Sequence, residues 1–536
     1  MSITPKNSIA PLGVGVVLTA NAKDLDGDPV YYKWTAESGA QLSNANASSV
    51  TCLGVKASST VTLTCSIHDG RGGEATATAR VSFLNISSIA VGEHFSCDLA
   101  TGTSFNLPTP QGNEKYGMIL FPMKLEDRVF TIEVNGGGKN VDPLFDLSIR
   151  SQKSSRMKNQ FSPTRILFEQ KLRERRKKIL RSRDFAKSLA RGNKRVKNDN
   201  KQFFVPSDDE SGIATITARL AGIGNFCEIF LDNAIATGSE TEVALPSFIS
   251  EFDSKIFPLM MNRFFNSSDY FQYGDINSDS KITILFSPQI GNLGATGIFH
   301  PKDFSNATDS NHEDMFYVNE NDSYTPLETY KSETMLTLVH EFQHLVNFVA
   351  HKKINNGVDE DAWLNEGLSV EAEVAYSGEK SDFYGEFVIV PEVDSLVAWT
   401  DTLSDYGSTG LFVHYLYEQL GTETIKKIVS CDAVGIENIN INSPKRNFLK
   451  LFEDWGISMF RLGLNLPADP LYDFILNPQI DLWKSSKKYA DNYEAPMRGN
   501  AFRFINLSSP VSQVTPIFLN DKSGDGQFKV VFLRTY

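Results

Sequence analysis

The sequence predicts a multidomain protein: two β-sandwich-like regions, then a mainly helical α+β domain, then a small C-terminal β-module. Three observations predict it. Short alternating strand patterns broken by Gly- and Asp-rich turns run to about Gly222. Longer helical patterns dominate from there to about Leu464. Strand patterns return in FRFINLS, TPIFLN and FKVVFLRTY. A length of 536 residues holds three or four such units, bounded at 1–87, 88–222, 223–470 and 471–536. Apolar content of 41% and charged content of 22% describe an ordinary soluble globular protein. The net charge of −13 argues against nucleic acid as a general partner. No run of 18 apolar residues occurs, so no transmembrane helix is expected.

The first region opens with SIAPLGVGVVLTANA, which mimics a signal peptide but has only one basic residue before it. It is better read as the first core strand of a sandwich, and the natural N-terminus is expected to be missing. VTLTCSI and ATATARVSF follow as strands around the turn HDGRGG. DLDGDP, Trp34 three residues after Tyr31, and DGRGG resemble a PKD-type immunoglobulin-like domain ending near Phe83. Asp24, Asp26 and Asp28 form either a Ca2+-capable cluster or a solvated turn. Five cysteines contain no C-x-x-C pair, so no structural zinc site is suggested. Cys52 with Cys65, and Cys97 with Cys227, are the conceivable bridges, leaving Cys431 over.

The second region carries the strand patterns YGMILFPM, RVFTIEV, PLFDLSI and ATITARLAG. Between Arg150 and Lys201 it is interrupted by 19 Lys or Arg against four Asp or Glu. The middle of this insert patterns as a helix with Phe168, Leu172, Ile179 and Leu189 on one side. It reads as a solvated helix, as a processing site at RERRKK, or as a basic surface for an anionic polymer or membrane. Without its net +15 the rest of the chain stands at −28, so docking on an acidic face of the same protein is a further reading.

The third region begins with the strand CEIFLDN and a helix over Pro246 to Phe265, kinked at Pro258. GDINSDS resembles half an EF-hand loop, but Ser280 replaces the Gly at position six and Phe286 the Glu at position twelve. It is read as a polar turn feeding the strand KITILFS. EDMFYVN is a further strand. Then comes TMLTLVHEFQHLVNFVAHK, Thr334 to Lys352, a helix apolar nearly all round and therefore buried. It nevertheless carries His340, Glu341 and His344. Residues four apart share a helix face, so both imidazoles point one way with Glu341 beside the first. Burying three such groups is costly unless something satisfies them. H-E-x-x-H supplies two ligands to Zn2+ and a carboxylate beside its water.

A third ligand is sought on the next helix, DAWLNEGLSVEAEVAYSG, where Glu366 lies 22 positions beyond His344. His351 sits about 10 Å further along the first helix, too far to share the ion. Glu371 and Glu373 remain alternatives to Glu366, although Glu371 falls on another face and Glu373 lies two turns beyond it. Downstream, Asp405 to Gly410 approach another helix, and Tyr406 is either an oxyanion donor or an ordinary tyrosine. His414 and His300 are weaker candidates for that role.

HEFQHLVNF followed by WLNEGLS resembles the Glu-zincins (gluzincins), and the hyicolysin family of secreted bacterial metallopeptidases in particular. GDINSDSKITILFSP, GATGIFHPKDF and DYGSTGLFVHYLYEQLG share that likeness, from about Ile223 to Leu464 and more loosely back to Ser88. The resemblance implies a secreted or cell-surface zinc endopeptidase acting on polypeptides. It implies His340, His344 and Glu366 as zinc ligands, Glu341 as the base, and EDMFYVN as the sheet edge where extended peptide adds on. One position departs from it: where many relatives place an Asp, four after the ligand Glu, this chain has Val370, leaving the group that orients a His unidentified. Two other classes compete. An aminopeptidase would carry a G-x-M-E-N-type segment, which is lacking here. A surface adhesion protein would keep the zinc site as a vestige.

Overall fold

The structure is a computed structural model. It describes residues 1–13, 15–24, 27–56, 59–84, 90–100, 103–105, 115–123, 129–135, 195–207, 212–266, 270–320, 326–353, 359–387, 391, 394–462, 464, 466–474, 487–488, 493–506, 517–521 and 527–536. Among these, no helix is long and apolar enough to cross a membrane.

The N-terminal stretch expected as one strand is two. Pro11 ends Asn7–Pro11, Gly13 turns the chain at φ 85°, and Gly15–Asn21 joins another sheet. That four-stranded sheet runs Ser2–Thr4, Gly15–Asn21, Ser49–Gly54, Ala40–Ser43. Its inner face packs Val16, Leu18 and Val50 against Trp34, Val61, Leu63, Val81 and Phe83 of the second sheet. Cys52 and Cys65 both lie in this core as free thiols. Their strands belong to the two facing sheets, and the bridge conceivable between them is not formed. Cys227 is likewise a free buried thiol, which removes the other bridge. In the acidic turn, Asp24 accepts the Asp28 N–H at 3.1 Å and Asp28 pairs with exposed Arg71.

The C-terminal strands form, but not as a sheet of their own. Ile517–Asp521 and Tyr493–Arg498 flank Val129–Asn135 in an eight-stranded sheet that also contains Glu74–Leu84, Ser59–His68 and Tyr31–Ala36. Arg503–Asn506 and Gln527–Arg534 flank Tyr116–Pro122 in a five-stranded sheet. The cause is burial: every residue of Tyr116–Pro122 is buried, so both strand edges need hydrogen-bonding partners inside the protein. The C-terminal segment supplies both.

The six-stranded sheet under the site contains β1 (Asn200–Pro206), β2 (Ile213–Ile223), β3 (Cys227–Asp232), β4 (Ile282–Phe286), β5 (Gly297–Ile298) and β6 (Met315–Val318). Its order is β1-β2-β3-β4-β6-β5. Two expectations change here. ATITARLAG, placed in the second sandwich by its pattern, is β2 and pairs with β3 through a bulge at Leu220/Gly222. EDMFYVN, expected at the edge, is β6 and is internal, because β5 pairs antiparallel along its outer side. β3, β4 and β6 are buried throughout, with Ile229, Ile284 and Phe316 facing one core and Phe230, Leu285 and Tyr317 the other.

Six helices matter for the site: α1 (Glu240–Glu251), α2 (Leu327–Lys353), α3 (Ala362–Ser377), α4 (Leu403–Leu420), α5 (Thr422–Val429) and α6 (Phe448–Arg461). α1 starts before the expected Pro246, with Ser239 as its N-cap. The irregularity expected at Pro258 is a widened turn over Phe252–Ile256, ahead of a short helix with Pro258 in its first turn. α2 buries Leu338, Val339, Phe342, Leu345, Val346 and Val349. The helix expected after Gly410 begins at Leu403, closed by a capping box between Thr402 and Asp405, so Tyr406 is inside it.

Of the basic insert, residues 150–194 lie outside the described residues. Its end is docked on acids: Arg195 bonds Glu228 at 2.9 Å and pairs with Glu313, as does Lys201.

One residue ties the five-stranded sheet to the helices. A Cβ on Gly117 would collide with the ring of Phe460 on α6. Gly117→Ala is expected to cost about 1–3 kcal/mol by forcing this packing apart. Urea unfolding with an unchanged midpoint would show that this contact does not hold the two parts together.

Candidate metal centre

α2 is the apolar helix whose polar residues the sequence singles out, and α3 packs against it. Between them His340, His344 and Glu366 bring three ligand atoms within 4.8 Å of one another, the one such group among the described residues. Glu366 Oε2 stands 3.3 Å from His340 Nε2 and 3.3 Å from His344 Nε2. A tetrahedral ion with bonds of about 2.0–2.1 Å places neighbouring donors about 3.3–3.4 Å apart, so the spacing and the N,N,O donor set fit zinc. Glu366 Oε2 is buried and has no hydrogen-bond partner among the described residues, despite the two nitrogens near it. An aligned N–H is what it lacks; a cation at the centre of the three would satisfy it.

The electrostatics agree. Burial disfavours charge on His340, but the Glu366 and Glu373 carboxylates beside its two ring nitrogens override it and hold its pKa well above the ordinary imidazole value. Burial likewise pushes Glu366 up, and the two imidazoles outweigh it, leaving its carboxyl well below the usual range. The centre is therefore anionic enough to hold positive charge.

The group that orients each imidazole is now visible. Glu373 Oε1 lies 2.6 Å from His340 Nδ1, on the ring edge opposite Glu366. Glu366 and Glu373 are seven apart on α3, two turns of one face, so His340 is held between them. The i,i+7 spacing was readable; that its far end serves a His and not the ion was not. His344 Nδ1 lies 3.3 Å from Asn365 Oδ1 and 3.2 Å from Ser369 Oγ. Ser369 donates its own proton to Gln343 Oε1 at 2.7 Å, leaving its oxygen free to accept. A carboxylate thus backs one imidazole and neutral oxygens the other, with each Nε2 turned toward Glu366.

A cleft of about 510 Å³ opens beside the cluster, lined by His340, Glu341, Thr337, Glu373, Phe383 and Tyr406, among others. Glu341 is buried and lies against β5: a Cβ on Gly297 would come within 2.6 Å of its Cγ. Tyr406 has its ring centroid 6.4 Å from that of His340, between Phe383 (5.2 Å) and Trp399 (4.8 Å). The other sequence candidates lie elsewhere. Glu371 pairs with Arg263 and with His414 Nδ1, the latter at 2.8 Å. His300 Nδ1 accepts the Lys302 N–H at 3.1 Å as a helix cap. Sequence reasoning weighed Glu373 only as a ligand to the ion, and missed Asn365 and Gly297 as contributors to the site.

No family model matches the chain. It is 31% identical over 201 residues to the neutral metalloprotease ShpI of Staphylococcus hyicus. The likeness is to a metalloprotease. The match takes in 33% of this chain and 43% of that protein, so the chain spans less than half of the relative. Solved structures of α2-macroglobulin align with it at 10% identity (Escherichia coli, native conformation) and 9% (Salmonella, reacted with methylamine). Each alignment takes in 100% of this chain, with 29% and 30% of the macroglobulins, at a TM-score of 0.15. At that score neither carries an argument about fold or function.

Glu373→Gln keeps the shape of the side chain and removes the charge behind His340. Metal affinity is expected to fall about 10–100-fold. Competition against a colorimetric chelator reads this directly, and wild-type affinity would remove Glu373 from the site.

Proposed function

We propose that the chain is a zinc-dependent endopeptidase that hydrolyses internal peptide bonds of extracellular proteins. The observation that carries this reading is the buried Glu366 oxygen, 3.3 Å from two imidazole nitrogens at a cleft that also holds Glu341. His340, His344 and Glu366 would hold the ion. Bound zinc lowers the pKa of a coordinated water toward about 7 and polarises a carbonyl. Glu341 takes the proton of the attacking water and passes it to the leaving amine. Its burial against Gly297 fixes where that carboxylate can reach. Tyr406, wedged between two aromatic rings, donates to the carbonyl oxygen as it gains negative charge. β5, the short outer strand at the cleft, offers backbone groups to an extended peptide. The likeness to a neutral metalloprotease supports a polypeptide substrate. The zincin assignment, the PKD-like reading of the first domain and an exported location belong to this proposal.

The test is hydrolysis of casein and of an N-blocked peptide, with and without chelator. Activity on the blocked peptide, lost on chelation and regained with Zn2+, is expected; cleavage only of free N-termini would make the protein an aminopeptidase. No cleavage by a zinc-loaded protein would favour an adhesion role. In the same assay Glu341→Gln should retain zinc and lose turnover, whereas Glu366→Ala should lose zinc itself. Tyr406→Phe is expected to lower kcat by about 10²–10³ with little change in KM. An unchanged kcat would leave Tyr406 as wall packing.

A further inference from the structure

His414, considered from the sequence as an oxyanion donor, is not part of the cleft lining. It belongs to a buried set of charges between α3 and α4. Its Nδ1 lies 2.8 Å from Glu371 Oε2 on α3, and its Nε2 lies 3.0 Å from Glu418 Oε1, one turn further along α4. Glu371 is paired through its other oxygen with Arg263, at the end of the short helix Phe257–Arg263. None of the four side chains is more than 13% exposed, so water does not replace a lost partner. A second metal does not explain the set. Among the described residues only His340, His344 and Glu366 bring three ligand atoms within 4.8 Å of one another.

An ionised carboxylate only accepts hydrogen bonds, and a neutral imidazole has one N–H and one bare lone pair. With a carboxylate at each nitrogen, the neutral ring turns that lone pair on an anion whichever tautomer it takes. Only the imidazolium suits both sides, and it balances the set at two cations against two carboxylates. Burial opposes the charge, but Glu371 and Glu418 override it and lift the His414 pKa to about 9. The other groups packed on the set are aromatic. Phe474 stacks on the His414 ring at 6.1 Å, and the Arg263 guanidinium lies 3.3 Å over the Tyr417 ring. Tyr384, on the short helix Tyr384–Phe387, packs at Gly410 of α4, and burial raises its phenol well above the ordinary value and keeps it neutral.

The set lies along a close backbone approach of the two helices. A Cβ on Gly367 would come within 2.8 Å of Val413 Cγ2 and 2.9 Å of the Thr409 carbonyl oxygen, and one on Gly410 would strike Val370. Gly367 adjoins Glu366, and Gly410 lies one turn beyond Tyr406. The spacing of α3 and α4 therefore sets where Glu366 and Tyr406 stand. We propose that the imidazolium of His414 clamps α3 to α4 and thereby positions Glu366 and Tyr406, so that loss of its proton in alkali loosens both. His414 acts through Glu371 and the helix that carries it. Once the proton has gone to solvent, Glu418 faces a lone pair and the buried set is left with a net negative charge. A group raised on folding stabilises fully below its ordinary value of 6.5 and loses that contribution as the pH climbs through about 9. The consequence for the metal rests on His340, His344 and Glu366 being its ligands, whereas the consequence for stability does not.

The test compares the full wild-type chain with His414→Gln and with the double variant His414→Gln/Glu418→Gln, which removes one charge of each sign. Thermal midpoints are followed in zinc-free buffer from about pH 7 to about pH 10. Zinc affinity is followed over the same span by competition with a chelator calibrated at each pH. The histidine rings are titrated by carbon-13 NMR of histidine-labelled, zinc-saturated protein. One ring should stay protonated until about pH 9, with its signal absent from the His414→Gln spectrum. Across the span the wild type should lose several degrees more than the double variant, and its zinc affinity should fall at least about tenfold further. His414→Gln alone should show at neutral pH the lowered midpoint that the wild type reaches only in alkali; should it fail to fold, the double variant carries the comparison. A His414 ring already neutral at about pH 8, or equal alkaline losses in the wild type and the double variant, overturns the proposal. If no form binds zinc, the ligand assignment fails by itself, and the thermal comparison decides whether His414 clamps the helices.

Discussion

Two imidazoles one turn apart on a helix otherwise sealed in apolar packing are the constraint around which the site is built. His344 is buried and His340 is only slightly exposed at the cleft, and a buried imidazole without a partner is a liability of a few kcal/mol. α3 supplies what α2 lacks. Glu366 meets the inward nitrogens of both rings, Glu373 holds the back of one, and Asn365 and Ser369 stand behind the other. The pairing of these helices is therefore not set by hydrophobic burial alone. Their register has to bring one carboxylate to two nitrogens at once, and a shift of a single turn on either helix would leave buried charge unpaired.

That register rests on the surrounding architecture. α2 lies on one face of the six-stranded sheet, and its Phe342 packs among Phe252, Phe257 and Phe316. Gly297 lacks a side chain where Glu341 has to lie, so β5 and the Glu341 side chain share space that a methyl group would occupy. α4 brings Tyr406 to the opposite wall, pinned between Phe383 and Trp399. Behind α4, His414 joins Glu371, Glu418 and Arg263 in a buried charged cluster. That cluster holds α3 and α4 together by pairs whose separation would strand a charge.

The β-rich parts are less separate from the helical part than a string of domains implies. Tyr116–Pro122 contributes to the same hydrophobic core as α2, α3 and α6, and strands from the end of the chain complete its sheet. The basic segment ends in Arg195 and Lys201, half-buried and paired with the buried carboxylates of Glu228 and Glu313. A cation-rich stretch is thus partly neutralised by the acidic excess of its own chain.

Local periodicity was enough to find α2, to put His340 and His344 on one face, and to place Glu366 on a facing helix, because side-chain direction in a helix follows from residue spacing alone. The strands KITILFS, EDMFYVN and CEIFLDN were legible for the same reason. Tertiary structure decided everything that depends on which faces and edges meet. It assigned Glu373 to His340, gave the sheet edge to β5 in place of β6, and put Cys52 and Cys65 in opposite sheets. It also interleaved the C-terminal strands with Tyr116–Pro122. Spacing along one element fixes relative direction within it. Strand edges and buried carboxylates are satisfied by groups tens to hundreds of residues away, and no local pattern encodes those partners.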